Sequence, residues 1–380
     1  MKKKAGILTI CIFLILILVT GYLVHQNFFS QNITSPQPDS KYSGDAYLII
    51  KNKKYGFIDK SGNIIIKPIY KYAEDFSNGL ALIVHNGKIG YIDTGGEMVI
   101  KPKYEEGKKF KDGLAPIKMA GKWGYINKQG NFIVEPKYEE ADIFFDKRAM
   151  VKLIGKWGFI DERGNLITMI EYDDATIFKE NRASVLKFGK WGCIDENGKK
   201  VIEHQFIEPL YFSQGLESVK INDKCRYIDT YGKIVIPPKY DGAGSFKNNL
   251  ASFRINDKYG YIDKNGKVAI DAKFDGADQF SEGLAKVRIG EKYGYINTLG
   301  YLVIQNSFSE GRAFKEGLAA VNYNRDGIDN WSFVNVKGEL IVMSMFDSVE
   351  DFKNGLAKVW YQGQLGYINK SGFYVWKPTY

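Results

Sequence analysis

Gly121-Lys122-Trp123-Gly124-Tyr125-Ile126-Asn127-Lys128-Gln129-Gly130-Asn131-Phe132-Ile133-Val134 holds two apolar runs around a polar turn. Asx three residues before Gly, between such runs, is a hairpin signature. The Asx side chain caps the turn, and glycine takes the left-handed position that closes a bulge. Trp123 to Ile126 therefore forms one strand and Phe132 to Val134 the next. Upstream, Leu114-Ala115-Pro116-Ile117-Lys118 reads as a further strand, joined by a short turn at Gly121. A loop from Tyr104 to Gly113 leads in.

This arrangement recurs along the chain. With Gly124 as marker, glycine returns at Gly56, Gly90, Gly158, Gly192, Gly260, Gly294 and Gly366, with Arg226 and Ser332 in the two remaining slots. Every step is 34 residues except one of 38, between Gly294 and Ser332, which makes ten units. Three residues after the marker stands Asp59, Asp93, Asn127, Asp161, Asp195, Asp229, Asp263, Asn297, Asn335 or Asn369, each assigned to turn capping. Six after it comes glycine in all ten units, and fourteen after it an aromatic. Twenty after it comes Phe in all nine units that reach so far, from Phe76 to Phe352.

The expected fold is all-β: a tandem array of ten three-stranded antiparallel units over residues 46–380. Both faces of each strand carry apolar residues, so units must cover one another. Glycine inside a strand marks close approach of another group, expected here to be a ring of the neighbouring unit. One unit buries too little apolar surface to offset the ordering of 34 residues, so stacking has to supply the difference. Ten exceeds the usual four to eight blades of a propeller. That favours an open solenoid, with a closed propeller-like ring as the alternative. The array contains whole units and needs no strand exchange to close.

Lys122-Trp123-Gly124-Tyr125-Ile126, Lys156-Trp157-Gly158-Phe159-Ile160 and Lys190-Trp191-Gly192-Cys193-Ile194 resemble the WG-repeat family of bacterial proteins. Val99-Ile100-Lys101-Pro102-Lys103-Tyr104 and Phe110-Lys111-Asp112-Gly113-Leu114-Ala115 match it too. The resemblance implies a repeat array, often exported, and transfers no catalytic or ligand residue. Cys225-Arg226 and Trp331-Ser332 depart from the pattern, which puts stacking at those units in doubt.

The N-terminus carries a targeting signal. Residues 1–4 form a basic stub, and residues 5–24 are an uncharged apolar run of bilayer length, read as a transmembrane signal anchor. Residues 25–45 are a polar linker spanning roughly 25 Å as a coil. The array is thus expected outside the cytoplasm of a bacterial cell, held by a single membrane span. Secretion after cleavage near Val19-Thr20-Gly21 is the alternative. Of the net charge of +9, the three stub lysines account for three, leaving +6 spread over all units. No basic stripe for nucleic acid is present.

Sites of chemistry are sparse. Three histidines, His25, His85 and His204, lack metal-ligand spacing, and no cofactor is expected. The insertion between Asn322 and Asn330 offers Asn324, Asp326 and Asp329 as weak metal candidates. However, Asn322 stands in place of the first Asp, and Phe333 where the bidentate Glu belongs. A lengthened hairpin is the plainer account. Trp123, Trp157 and Trp191 are weak ligand-binding candidates that could stack on sugars, against burial between units. Glu105-Glu106, Glu139-Glu140 and Asp173-Asp174 recur at one loop position and read as a solvated edge. Cys193 and Cys225 read as independent buried thiols. The expected function is a membrane-anchored binding or scaffold module for a protein or envelope polymer, and not an enzyme. The alternatives are a hydrolase on a propeller-like scaffold and an architectural spacer.

Overall fold

The computed structural model describes residues 45–324, 330–342 and 346–377. The expected membrane anchor at residues 5–24 and its linker through residue 44 lie outside the described residues. No helix among the described residues is long and apolar enough to cross a membrane.

Ten small antiparallel sheets follow one another as blades, with strand order equal to chain order in each. Blade 3 shows the pattern: Glu106–Gly107, Leu114–Met119, Lys122–Asn127 and Phe132–Tyr138. Where three strands were expected, six of the sheets, blade 3 among them, have four, and those of blades 1, 4, 6 and 9 have three. The loop entering the blade contributes a two-residue strand, with Glu106 opposite Lys118 and Gly107 opposite Ile117. Its pairing is too short to leave a period in the sequence.

The marker glycine has a different cause from the one expected. Trp123 pairs with Tyr138 but Tyr125 with Val134, so the last strand bulges past Gly124. A Cβ on Gly124 would lie 2.4 Å from the Val134 carbonyl oxygen. The group that approaches is the same blade's own backbone, not a neighbour's ring. The second glycine is the one that meets the neighbouring blade. Gly130, at φ 80°, sits over Ile100 of blade 2.

Blades are joined by rings. The aromatic after the marker packs against the loop Phe entering the next blade: Tyr91 on Phe110 at 4.8 Å, Tyr125 on Phe144 at 5.1 Å, Tyr261 on Phe280 at 4.8 Å. The same tyrosines donate their hydroxyls to a loop carbonyl, as Tyr125 does to Asp142 at 2.8 Å. These hydroxyls find partners where burial would otherwise penalise them.

Similar contacts close the array. Tyr367 of blade 10 packs on Tyr47 of blade 1 at 5.7 Å and donates to the Leu48 carbonyl at 2.7 Å. The blade 1 turn glycine, Gly62, abuts the Val375 carbonyl of blade 10. The open solenoid is thus corrected to a closed ring of ten blades. At the seam the turn glycine meets the preceding blade as elsewhere, whereas Tyr367 packs on a first-strand residue, Tyr47, in place of a loop phenylalanine, and no strand is shared across it among the described residues. Each blade is a slight wedge, and ten such wedges complete the turn.

Candidate functional site

Blades 4, 5 and 6 depart from the template together. In nine blades the first two long strands meet in a tight hairpin whose tip residue has a left-handed backbone. Asn52, Asn86, Asn222, Asn256 and Gln362 take that position in five blades, and Ala120 and Gly290 in two more. Blades 4 and 5 place Ile154 (φ 52°) and Phe188 (φ 54°) there, and their side chains are 84% and 85% exposed. A β-branched residue at positive φ is an outlier that local sequence preference does not explain.

The acidic pairs of the entry loops serve these tips. Glu139 accepts the N–H groups of Ile154 (3.1 Å) and Gly155 (2.9 Å), and these bonds hold its carboxyl below the usual range. Glu105 does the same for Ala120 and Gly121. The second acid of each pair meets a lysine, Glu106 with Lys118 and Glu140 with Lys152. These are clamps on a hairpin, a role beyond the solvated edge read from spacing. In blade 6 the clamp position holds Ile207, which is 81% exposed.

Blade 6 differs further. Its sheet has only Leu216–Ile221, Lys224–Asp229 and Ile234–Tyr240. The short strand is missing: Pro209 stands where eight blades have Ala, Gly or Val, and the N–H of Leu210, whose counterpart Gly244 donates to the ladder in blade 7, goes elsewhere. The segment turns to blade 5 instead. Leu210 donates its N–H to Ser184 Oγ at 2.7 Å, and that hydroxyl donates back to the Leu210 carbonyl at 2.8 Å. A cleft of about 340 Å³ opens between residues 206–210 and the Leu216–Ile221 strand.

Two charged residues replace small ones on this blade's inner face. Glu217 takes the place of an alanine that is buried in eight other blades, among them Ala115, Ala149 and Ala251. Arg226 takes the marker glycine's place. Val219 pairs with Arg226 and Glu217 with Ile228, so the two side chains are diagonal neighbours on one face. Glu217 Oε2 and Arg226 Nε are both buried without a hydrogen-bond partner. Burial pushes the Glu217 carboxyl up to about 7, with Tyr211 N–H and Lys179 opposing the rise. The sequence carried this signal, since an Ala-to-Glu change at a repeated position is visible on alignment of the units.

The other candidates are distributed as follows. Each of the ten Asx side chains accepts turn N–H groups, as Asn127 does from Gln129 and Asn131. Trp123 and Trp191 are buried and Trp157 is half-buried. Lys108 and Lys118 lie over the Trp123 ring and Lys152 over Trp157. Asn322 accepts the N–H groups of Asn324 and Asn330, closing the neck of the insertion. Asp326 and Asp329 lie outside the described residues, and no group of three metal-ligating side chains occurs among the described ones. Cys193 and Cys225 are separate buried thiols, the first pushed up to about 12 by burial. A second cleft, of about 430 Å³, lies at the closing seam. There Lys358 Nζ reaches both Asp75 (3.1 Å) and Glu350 (3.7 Å).

Two solved structures illustrate the likeness in fold. A crystal structure of the eukaryotic initiation factor aligns with a TM-score of 0.50 and 10% identity, covering 80% of this chain and 97% of that one. Hsv2p of Kluyveromyces lactis aligns with a TM-score of 0.36 and 9% identity, covering 60% of this chain and 91% of that one. No curated protein matches the sequence. The WG containing repeat matches nine times, over residues 55–88, 89–123, 123–157, 157–191, 191–225, 226–259, 259–293, 293–325 and 331–359. Blade by blade, from the marker glycine to the loop phenylalanine, the chain belongs to the WG-repeat family.

Proposed function

We propose that the ring is a binding module, held outside the cytoplasm by its N-terminal apolar segment, and that it receives a protein partner over blades 4–6. One observation carries this: Ile154, Phe188 and Ile207 stand almost fully exposed on three consecutive blades, where the other described tips and clamp positions have Asn, Gln, Gly, Ala, Lys, Ser or an acid. Apolar groups held in water on consecutive blades, two of them on a left-handed backbone, favour a covered surface. A protein is favoured over a glycan because lysines already occupy the faces of Trp123 and Trp157. At the seam cleft, the acids Asp75 and Glu350 are both engaged by Lys358.

The test is capture of envelope proteins and, separately, of purified wall polymer by the full chain in detergent micelles. Beside it runs an Ile154→Asn/Phe188→Asn variant. Specific protein capture by the parent and its loss in the variant is expected. Equal capture by both, or retention of polymer alone, contradicts the reading.

A further inference from the structure

The blades that keep their short strand define what blade 6 lacks. In blade 7, Gly242 and Ala243 pair with Arg254 and Phe253 of the first long strand. The flanking N–H groups of Asp241 and Gly244 donate to the carbonyls of Arg254 (2.9 Å) and Ser252 (2.8 Å). The corresponding groups in blade 6 belong to Ser218, Val219 and Lys220. Residues 207–211 have turned away from them to Ser184, so this strand edge faces the cleft instead of a partner strand. An unpaired edge is a template for another chain. The cleft also has a charge bias. It carries Glu208, Glu217 and Asp223 against a single lysine, and that Lys220 lies 3.7 Å from Asp223. Glu208 and Glu217 have no ion-paired cation among the described residues, and Glu217 Oε2 is buried without a donor.

We propose that the edge of Leu216–Ile221 receives an extended segment of a partner protein as an added antiparallel strand, with a small residue opposite Val219 and a lysine or arginine meeting Glu208 and Glu217. This deepens the reading of blades 4–6 as a protein-binding surface and rests on it. The small residue is dictated by the eight occupied blades, where that place holds Ala, Gly or Val. The cation follows from the two carboxyls. The free energy of burying Glu217 in place of alanine is offset when such a donor arrives.

The probe is a fluorescein-labelled nonapeptide with the sequence of residues 239–247, carrying Ser245→Lys so that, in the blade 7 register, one lysine stands opposite Glu217. It is titrated into the full chain in detergent micelles by anisotropy, with amide exchange followed at residues 218–220. Saturable binding and slowed exchange of the Lys220 amide are expected. A peptide with Gly244→Pro, which removes one ladder donor, should bind at least tenfold more weakly. An Ile207→Glu/Pro209→Gly protein, whose own segment can refill the edge, should likewise lose at least tenfold. Glu217→Gln should weaken the lysine peptide more than one with Ser245→Ala. Absence of binding, or equal binding of the proline peptide or by the refilled protein, overturns the proposal. The peptide assay uses neither Ile154 nor Phe188. Its failure therefore leaves the exposed-tip reading intact, and failure of partner capture leaves the peptide result standing.

Discussion

Blade 3 and blade 6 share a chain path and differ in nearly every residue that makes a blade complete. Blade 3 has Gly124 under the bulge, Ala115 on the inner face, Glu105 clamping the hairpin tip, and Glu106-Gly107 closing the edge. At the same places blade 6 has Arg226, Glu217, Ile207, and Pro209 in place of the small edge residue. Tyr227 still packs on Phe246 at 4.9 Å, and Phe212 is still buried. The ring contacts that hold a blade to its neighbours are thus separable from the polar details that finish its edge. A closed ring can carry an incomplete blade because its neighbours fix it on both sides.

The largest effect should come from forcing the comparison on the complete blade. Gly124→Val places side-chain atoms against the Val134 carbonyl and should cost roughly 3 kcal/mol or more, read from denaturant unfolding. The opposite change, Arg226→Gly, should stabilise by about 1–2 kcal/mol by removing a buried unpaired donor. A loss there would mean that Arg226 is paired in solution.

Tyr125→Ala removes an inter-blade ring contact and a buried hydroxyl bond, and should cost roughly 3–4 kcal/mol. Tyr125→Phe isolates the hydroxyl and should cost about 1 kcal/mol. Equal losses in the two variants would deny the ring pair its part in joining blades.

Glu217 makes the difference dependent on pH. Its folded pKa, about 7, lies above the unfolded value, so the folded state binds the extra proton between the two. The associated stability is present below about pH 4.3 and is lost as pH rises through about 7, up to roughly 3 kcal/mol in all. Glu217→Ala should flatten that part of the stability profile. An unchanged slope would place the carboxyl in water.

The smallest effect concerns the tips. Ile154→Gly relieves a left-handed backbone and should raise stability by about 1 kcal/mol, whereas Ala120→Gly should change it by less. A destabilised Ile154→Gly would indicate that the exposed side chain packs in the free protein.

Much of the ring was legible because the chain aligns with itself. The marker, the Asx-to-Gly turn and the loop phenylalanine each repeat, and each has a local cause that a sequence displays. Two things were not legible. The two-residue strand Glu106–Gly107 is too short to show a period, and the closing angle depends on how Tyr367 meets Tyr47, some 320 residues earlier. The candidate site was legible only in part. Cys225-Arg226 stood out against the motif, but Glu217 and Pro209 acquire meaning only once the structure pairs their neighbours and leaves the edge open.

The most direct measurement restores blade 6 to the blade 3 pattern with Ile207→Glu, Pro209→Gly, Glu217→Ala and Arg226→Gly together. Thermal unfolding and titration of the lysine peptide are then read on the same sample. The account predicts a protein that melts higher than the parent and no longer takes up the peptide. A protein that melts no higher and binds the peptide as before would contradict it.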